Sequence, residues 1–148
     1  MATPPFVPQG TLNRLRCSIV VPGFPQLNIT SPFMGKSFAS ISFQGPFVTP
    51  IKTGTGVVTS PEPYVMATVT VGLLRTQALA SNWMIQAQLL GVLGPVTIYS
   101  DTAAFPALTI FDASINDLEP GAYDGTDPVV RLQLTGVFYV NSALWSVL

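Results

Sequence analysis

The chain has no histidine and one cysteine, Cys17, among its 148 residues. Without histidine, the commonest general base and the commonest metal ligand are both missing. One cysteine excludes an internal disulfide and fits a reducing compartment. Charge is the scarcest commodity. Asp, Glu, Lys and Arg make up 9% of residues, where soluble domains average about 25%. With six basic and seven acidic residues and a net charge of −1, there is no basic surface to embrace nucleic acid. Long apolar runs are absent too. Residues 76–100 carry no charge, but Gln77, Asn82, Gln86, Gln88 and the Gly94-Pro95 pair interrupt them, so no run reaches the roughly 18 apolar residues of a spanning helix. Met1 to Pro5 has neither the basic region nor the apolar core of a secretory signal. A membrane β-barrel would need more strands of about ten residues than the chain offers.

What is present is a large apolar fraction, 48% of residues, enough for a substantial core and too much for disorder. A surface this poor in charge is expected to be covered. With no lipid-spanning pattern, the expected cover is protein, and the composition reads as that of a permanently assembled subunit.

Hydrophobic periodicity places the elements. The prolines of residues 1–13 predict an extended arm. Leu15, Cys17, Ile19 and Val21 alternate with Arg14, Arg16 and Ser18, a half-buried strand that Pro22-Gly23 ends. Ala39, Ile41 and Phe43 alternate with Ser40 and Ser42 in a second strand. Residues 45–63 hold Pro46, Pro50, Pro61 and Pro63 around Gly54-Thr55-Gly56, and predict a long protruding hairpin. Its length points to function or partner contacts. Val65, Ala67, Val69, Val71 and Leu73 mark the strongest strand. The period then changes: a helix is expected over 77–90, with Thr76 as N-cap and Leu79, Trp83, Ala87 and Leu90 on one stripe. Its other side offers Gln77, Ser81 and Gln88 and no charge, suggesting a second packing surface. Strands follow at Val96–Tyr99, at Leu108–Ile115 with Thr109, Phe111, Ala113 and Ile115 on one face, and at Val129–Val140. There Val130, Leu132, Leu134, Phe138 and Val140 face inward. An acidic loop is expected over 116–128. The fold class is therefore mostly β: two packed antiparallel sheets, as a sandwich or partly open barrel, with one flanking helix, a long hairpin extension and an extended N-terminal arm, all in one domain.

No motif carries catalysis, and no enzyme, cofactor or metal is expected. Gly35-Lys36-Ser37 resembles the end of a phosphate-binding loop, but Thr30 stands where its first glycine belongs and a strand follows. Gly54-Thr55-Gly56 lacks the third glycine of a dinucleotide fingerprint, because Thr59 occupies that position, and reads as a turn. Asn28-Ile29-Thr30 is a glycosylation sequon, which matters only on export. Cys17 has no histidine to activate it and alternates with apolar neighbours, so it reads as core. Asp117, Glu119, Asp124 and Asp127 do not match the spacing of a calcium loop and read as a solvated acidic loop. Arg14, Arg16 and Arg131 stand out among so few basic residues. Arginine pairs bidentately with carboxylates and tolerates partial burial, so Arg14 and Arg16 are expected to meet Asp124 and Asp127 of a neighbouring copy.

Several stretches resemble tail tube proteins of tailed bacteriophages. They are Tyr64 to Ala80 (YVMATVTVGLLRTQALA), Asn116 to Trp145 with Gly125-Thr126-Asp127 and Gly136-Val-Phe-Tyr-Val-Asn-Ser-Ala-Leu-Trp145, Phe24 to Asn28, and Thr53 to Tyr64. Together they span roughly residues 14 to 146. The resemblance implies two sheets with a flanking helix, and homohexameric rings stacked into a tube, whose joined inner barrel conducts DNA during ejection. Hairpins and terminal arms would bridge successive rings. It implies a location in the virion tail after assembly in the host cytoplasm. A sheath would lie outside, in the contractile type favoured here. Tape measure protein and DNA would pass through the lumen without specific binding, and baseplate and tail terminator would sit at the ends. On this reading Phe47, Ile51, Lys52, Thr53, Gly54, Thr55, Gly56 and Val57 make inter-ring contacts, and Asp112, Gln133 and Thr135 face the lumen. A base-poor wall suits a conduit, since phosphate affinity comes from Lys and Arg. Two alternatives stay open. One is the tube of a contractile injection or secretion system. The other is a free-standing β-sandwich binding module, for instance for carbohydrate, with Trp83 and Trp145 as a stacking platform.

Overall fold

The computed structural model describes residues 5–10, 17–34, 39–100, 106–121 and 125–145. Its elements in chain order are β1 (Cys17–Val20), 3-10 turns at Pro25–Leu27 and Ser31–Phe33, β2 (Ser40–Gln44), β3 (Val48–Lys52), β4 (Val57–Pro61), β5 (Tyr64–Leu74), α1 (Ala78–Leu89), β6 (Val92–Ser100), β7 (Leu108–Glu119), β8 (Val129–Tyr139) and the single turn α2 (Ser142–Trp145). The fold is mostly β, with a curled six-stranded sheet, a two-stranded sheet and one flanking helix. The large sheet is ordered β1-β6-β7-β8-β5-β2 and the small one is β3-β4, every pairing antiparallel. Residues 5–10 carry no helix or strand and are exposed; the rest of the expected arm lies outside the described residues. Among the described residues no helix is long and apolar enough to cross a membrane.

The sheet forms because its central strands alternate without error. Val65, Ala67, Val69, Val71 and Leu73 of β5 are buried, and Val130, Leu132, Leu134 and Gly136 of β8 lie beside them on the same face. One apolar face per strand fixes the register, since a one-residue slip would expose the whole set. The inner face is closed by Leu79, Ala80 and Trp83 of α1, by Leu27 and by Met34. The burial stripe of α1 runs Leu79, Ala80, Trp83, Gln86. It departs from the expected stripe at its end: Leu90 is 51% exposed, and Gln86 turns inward to donate from Nε2 to the Leu90 carbonyl at 2.8 Å. The expected Thr76 cap is also corrected. Gln77 is the N-cap, with no side-chain bond to the helix, so the helix starts through packing of Leu79 and Trp83.

β7 differs most from the sequence pattern. It continues to Glu119, so the acidic stretch expected as loop from residue 116 begins as strand. Its alternation breaks at Asp112, whose φ is +51°, where the register against β8 shifts between Phe111 and Ser114. This β-bulge puts both Ile110 and Ala113 in the core and leaves Phe111 on the outer face. β6 is longer than expected because it too is bulged, around Gly94 with φ +78°.

Candidate assembly interface

The hairpin lies in the stretch of proline and glycine that predicts it. β3 pairs with β4 from Val48 opposite Pro61 to Lys52 opposite Val57. Proline has no N–H to give, and a two-stranded ribbon accommodates Pro50 and Pro61 on its open edges. At the tip the Thr53 N–H donates to the Gly56 carbonyl at 2.8 Å, and the Gly56 N–H donates to Thr53 Oγ1 at 3.1 Å. The Gly54-Thr55-Gly56 motif is thus a turn. All of β3 and nearly all of β4 are exposed, including the large apolar side chains Ile51 (49%), Val57 (63%) and Val58 (56%). A two-stranded ribbon on its own is marginal in water, and this one shows apolar side chains on both faces, since Ile51 opposes Val58 while Val48, Pro50 and Val57 project the other way. The candidate contact residues Phe47, Ile51, Lys52, Thr53, Gly54, Thr55, Gly56 and Val57 therefore all fall on one exposed projection.

The ribbon is a bent continuation of the β2-β5 pair. Gln44 opposes Met66; an unbroken ladder would set Val48 against Glu62, but Val48 opposes Pro61. One extra residue on the β4-β5 side makes the bend. Phe43, Phe47 and Phe138 pack around it, with ring centroids 4.9 Å apart for Phe43–Phe138 and 5.5 Å, edge-on, for Phe43–Phe47. Asn141, a residue the sequence reading did not single out, donates from Nδ2 to the carbonyls of Phe47 at 3.1 Å and Glu62 at 2.8 Å. Its only sequence-level signal is its place just after a strand, at a left-handed φ of +54°, which asparagine tolerates.

The outer face of the six-stranded sheet is the second surface, and no described element packs on it. Cross-strand register arranges it in rows. Ser42, Thr68, Thr135 and Ser114 form one row; Ser40, Thr70, Gln133 and Asp117 form the next; Gly72, Arg131 and Glu119 form a third. Toward the hairpin the face becomes apolar, with Met66 and Val137 leading to Phe111 and Tyr64 opposing Tyr139. The Phe111 and Tyr139 rings lie 5.2 Å apart. Gln133 and Thr135 are therefore neighbours in a hydroxyl-rich field, half-buried, while Asp112 is exposed on the bulge.

The two edges of this sheet differ. At β1, Ile19 exchanges both backbone bonds with Ile29 at 2.8 Å, and the Val21 N–H donates to Asn28 Oδ1 at 2.8 Å. Asn28, noted as a sequon residue, closes an edge. At β2, the side of the strand away from β5 has no backbone partner among the described residues, and Ser40, Ser42, Phe43 and Gln44 are exposed. An open edge invites a further strand.

The remaining candidates fall as follows. Arg14, Arg16 and Asp124, and the Gly35-Lys36-Ser37 triplet, lie outside the described residues. Asp127 accepts from the Val129 N–H through Oδ1 at 3.1 Å in its own chain, and Arg131 stands opposite Glu119. Cys17 is half-buried against the core, its Sγ 3.5 Å from Met34 Sδ. Trp83 is completely buried, which removes one of the two tryptophans from any stacking platform. Among the described residues no group of His, Cys, Asp and Glu is placed to hold a metal.

No protein-family model matches the chain, and none of the curated proteins matches it. Among solved structures the chain is similar to the anti-feeding prophage cap (AFP tube terminating cap), at 18% identity and a TM-score of 0.49, over 91% of this chain and 95% of that one.

Proposed function

We propose that this chain is a structural subunit of a phage-type tail tube, in which copies join laterally into rings and the rings stack through the hairpin. The observation that carries the reading is the projection at residues 48–61: an exposed, apolar, two-stranded ribbon in a protein with only 9% charged residues. Buried against the next ring, Ile51, Val57 and Val58 would leave water, and the ribbon would gain the packing it lacks alone. The open β2 edge supports lateral growth by strand addition. A heterologous ring-and-stack needs two unlike surfaces on each copy, and edge and hairpin are unlike.

Six copies per ring follow from the resemblance of the sequence to tail tube proteins. In that arrangement the hydroxyl-rich sheet face, with Gln133, Thr135 and the bulge residue Asp112, lines the lumen. Among the described residues it offers one cation, Arg131, already opposite Glu119, so DNA and a tape measure protein would pass without being held. A contractile sheath surrounds the tube, with baseplate and terminator at its ends, in a virion tail built in the host cytoplasm. Arg14 and Arg16 pair with Asp124 and Asp127 across subunits. No catalytic step is assigned.

Negative-stain microscopy of the purified chain tests the reading. The wild type is expected to form tubes. Deleting residues 54–59 is expected to leave protomers or single rings. Tubes of ordinary length from the deletion would overturn the role of the hairpin, and small dispersed particles from concentrated wild type would overturn the whole reading.

A further inference from the structure

The bend at the base of the hairpin has the parts of a pivot with a pin. Two short connections join the ribbon to the sheet. One contains Gly45, at a φ of +83°, followed by Pro46. The other is Glu62-Pro63. The β3-β4 ladder and the β2-β5 ladder are separate, and one residue of slippage divides them. Among the described residues three kinds of contact cross the join. The Glu62 N–H donates to the Phe47 carbonyl at 2.9 Å. The rings of Phe43, Phe47 and Phe138 meet. The Asn141 amide donates to both connections at the ribbon's base at once, to the carbonyls of Phe47 and Glu62.

The last of these differs in kind. A bulge disturbs the ladder's own pairing; here the Phe47 carbonyl, which already accepts from the Glu62 N–H, takes Asn141 as a second donor, and the same side chain satisfies the Glu62 carbonyl. Asn141 stands two residues past the end of β8, and the intervening Val140 donates its N–H to the Pro63 carbonyl at 3.2 Å. Asn141 also begins the C-terminal turn, since its carbonyl accepts from the Leu144 N–H at 2.9 Å. In that turn Leu144 is 66% and Trp145 48% exposed. One residue therefore connects the ribbon's base to an exposed C-terminal turn.

We infer that Asn141 is a positioning residue that pins the hairpin to the sheet, making the hairpin a pivoting arm controlled from the end of β8. The hairpin is held in its projecting pose before it meets anything, and a contact that moves the C-terminal turn shifts the pin and frees the arm. The inference concerns the single protomer and stands independently of the tube reading.

Hydrogen exchange read residue by residue on the full chain, under conditions where light scattering shows protomers, tests it. Asn141→Gly keeps the left-handed backbone and removes the amide. Asn141→Asp keeps the shape but offers two carbonyls an acceptor in place of a donor. In both variants the Glu62 and Val140 amides are expected to exchange roughly tenfold faster or more, the range set by losing two bonds of ordinary net strength. The Thr53 amide, held by its own turn, and the central amides of β5 and β8 should keep their wild-type rates. Unchanged exchange at Glu62 in both variants would overturn the inference. Acceleration spread evenly through β5 and β8 would overturn it as well, because Asn141 would then serve the whole fold.

Discussion

Gly136 on β8 lies directly against the carbonyl of Phe111 on β7. A Cβ at Gly136 would stand 3.0 Å from that oxygen and 3.1 Å from Cβ and Cδ1 of Ile110. The close approach exists because the bulge at Asp112 pushes the β7 backbone toward its neighbour. Gly136→Ala is therefore expected to cost about 1–3 kcal/mol through overpacking. That corresponds to a melting point lower by roughly 2–4 °C per kcal/mol for a domain of this size, read by thermal denaturation of dispersed protein. A variant as stable as wild type would mean the bulge relaxes freely.

Asp112 pays for the same bulge with its backbone, at φ +51°. Asp112→Gly is expected to leave stability within about 0.5 kcal/mol, since relief of the left-handed strain offsets glycine's added unfolded-state entropy. Asp112→Val is expected to lose about 1–2 kcal/mol, because a β-branched side chain resists this conformation. Urea midpoints of the pair decide it, and equal midpoints would contradict the bulge geometry.

Arg75 ties β5 to the segment before β8. Its Nη2 donates to the Pro120 carbonyl and, at 3.5 Å, to that of Val129. A Cβ on Gly121 would come within 2.9 Å of the same nitrogen, so the Gly121 backbone lies close against the guanidinium. Arg75→Met preserves length but not donors. The expected loss is about 1–3 kcal/mol, with faster limited proteolysis between residues 120 and 128. Unchanged cleavage there would remove Arg75 from this role.

Trp83 is fully buried and its indole N–H has no hydrogen-bond partner among the described residues. Trp83→Ala is expected to cost about 3–5 kcal/mol. Trp83→Phe keeps most of the ring and removes an unpaired donor whose burial costs about 1–3 kcal/mol. The net change for Phe is accordingly expected to stay within about 1 kcal/mol of wild type. Chemical denaturation with an unchanged slope would establish this; a loss as large as that of Ala would show that packing of the full indole dominates.

The helix start can be improved. Gln77 occupies the N-cap with no side-chain bond and the first turn holds no acid. Gln77→Asp supplies an acceptor for the free N–H groups and a charge favourable to the helix dipole. It is expected to add about 1 kcal/mol, visible as a higher urea midpoint.

The legible parts of this protein are those in which local pattern and tertiary role agree. The alternation from Val65 to Leu73 and from Val130 to Leu134 announced the two central strands because each presents one apolar face to a single core. The prolines and glycines of residues 45–63 announced a hairpin because few other conformations suit them. β7 was legible only in part: at Asp112 a non-glycine residue takes a left-handed conformation, and a period-two count across that position assigns Ile110 to the wrong face. Thr76 illustrates the converse, since a good capping residue stands one position too early when packing of Leu79 and Trp83 sets where the helix begins.

Composition and periodicity alone determined that this is a mostly β chain without histidine and with few charged residues. Those properties depend on residue type and local spacing, which the chain carries with it. Tertiary structure decided which sheet edge Asn28 seals and which has no strand partner among the described residues, that Gln133 and Thr135 share a hydroxyl-rich face, and that Asn141 reaches the hairpin base. Each of these depends on pairings between residues far apart in the chain, and register between distant strands is set by the common core they bury together.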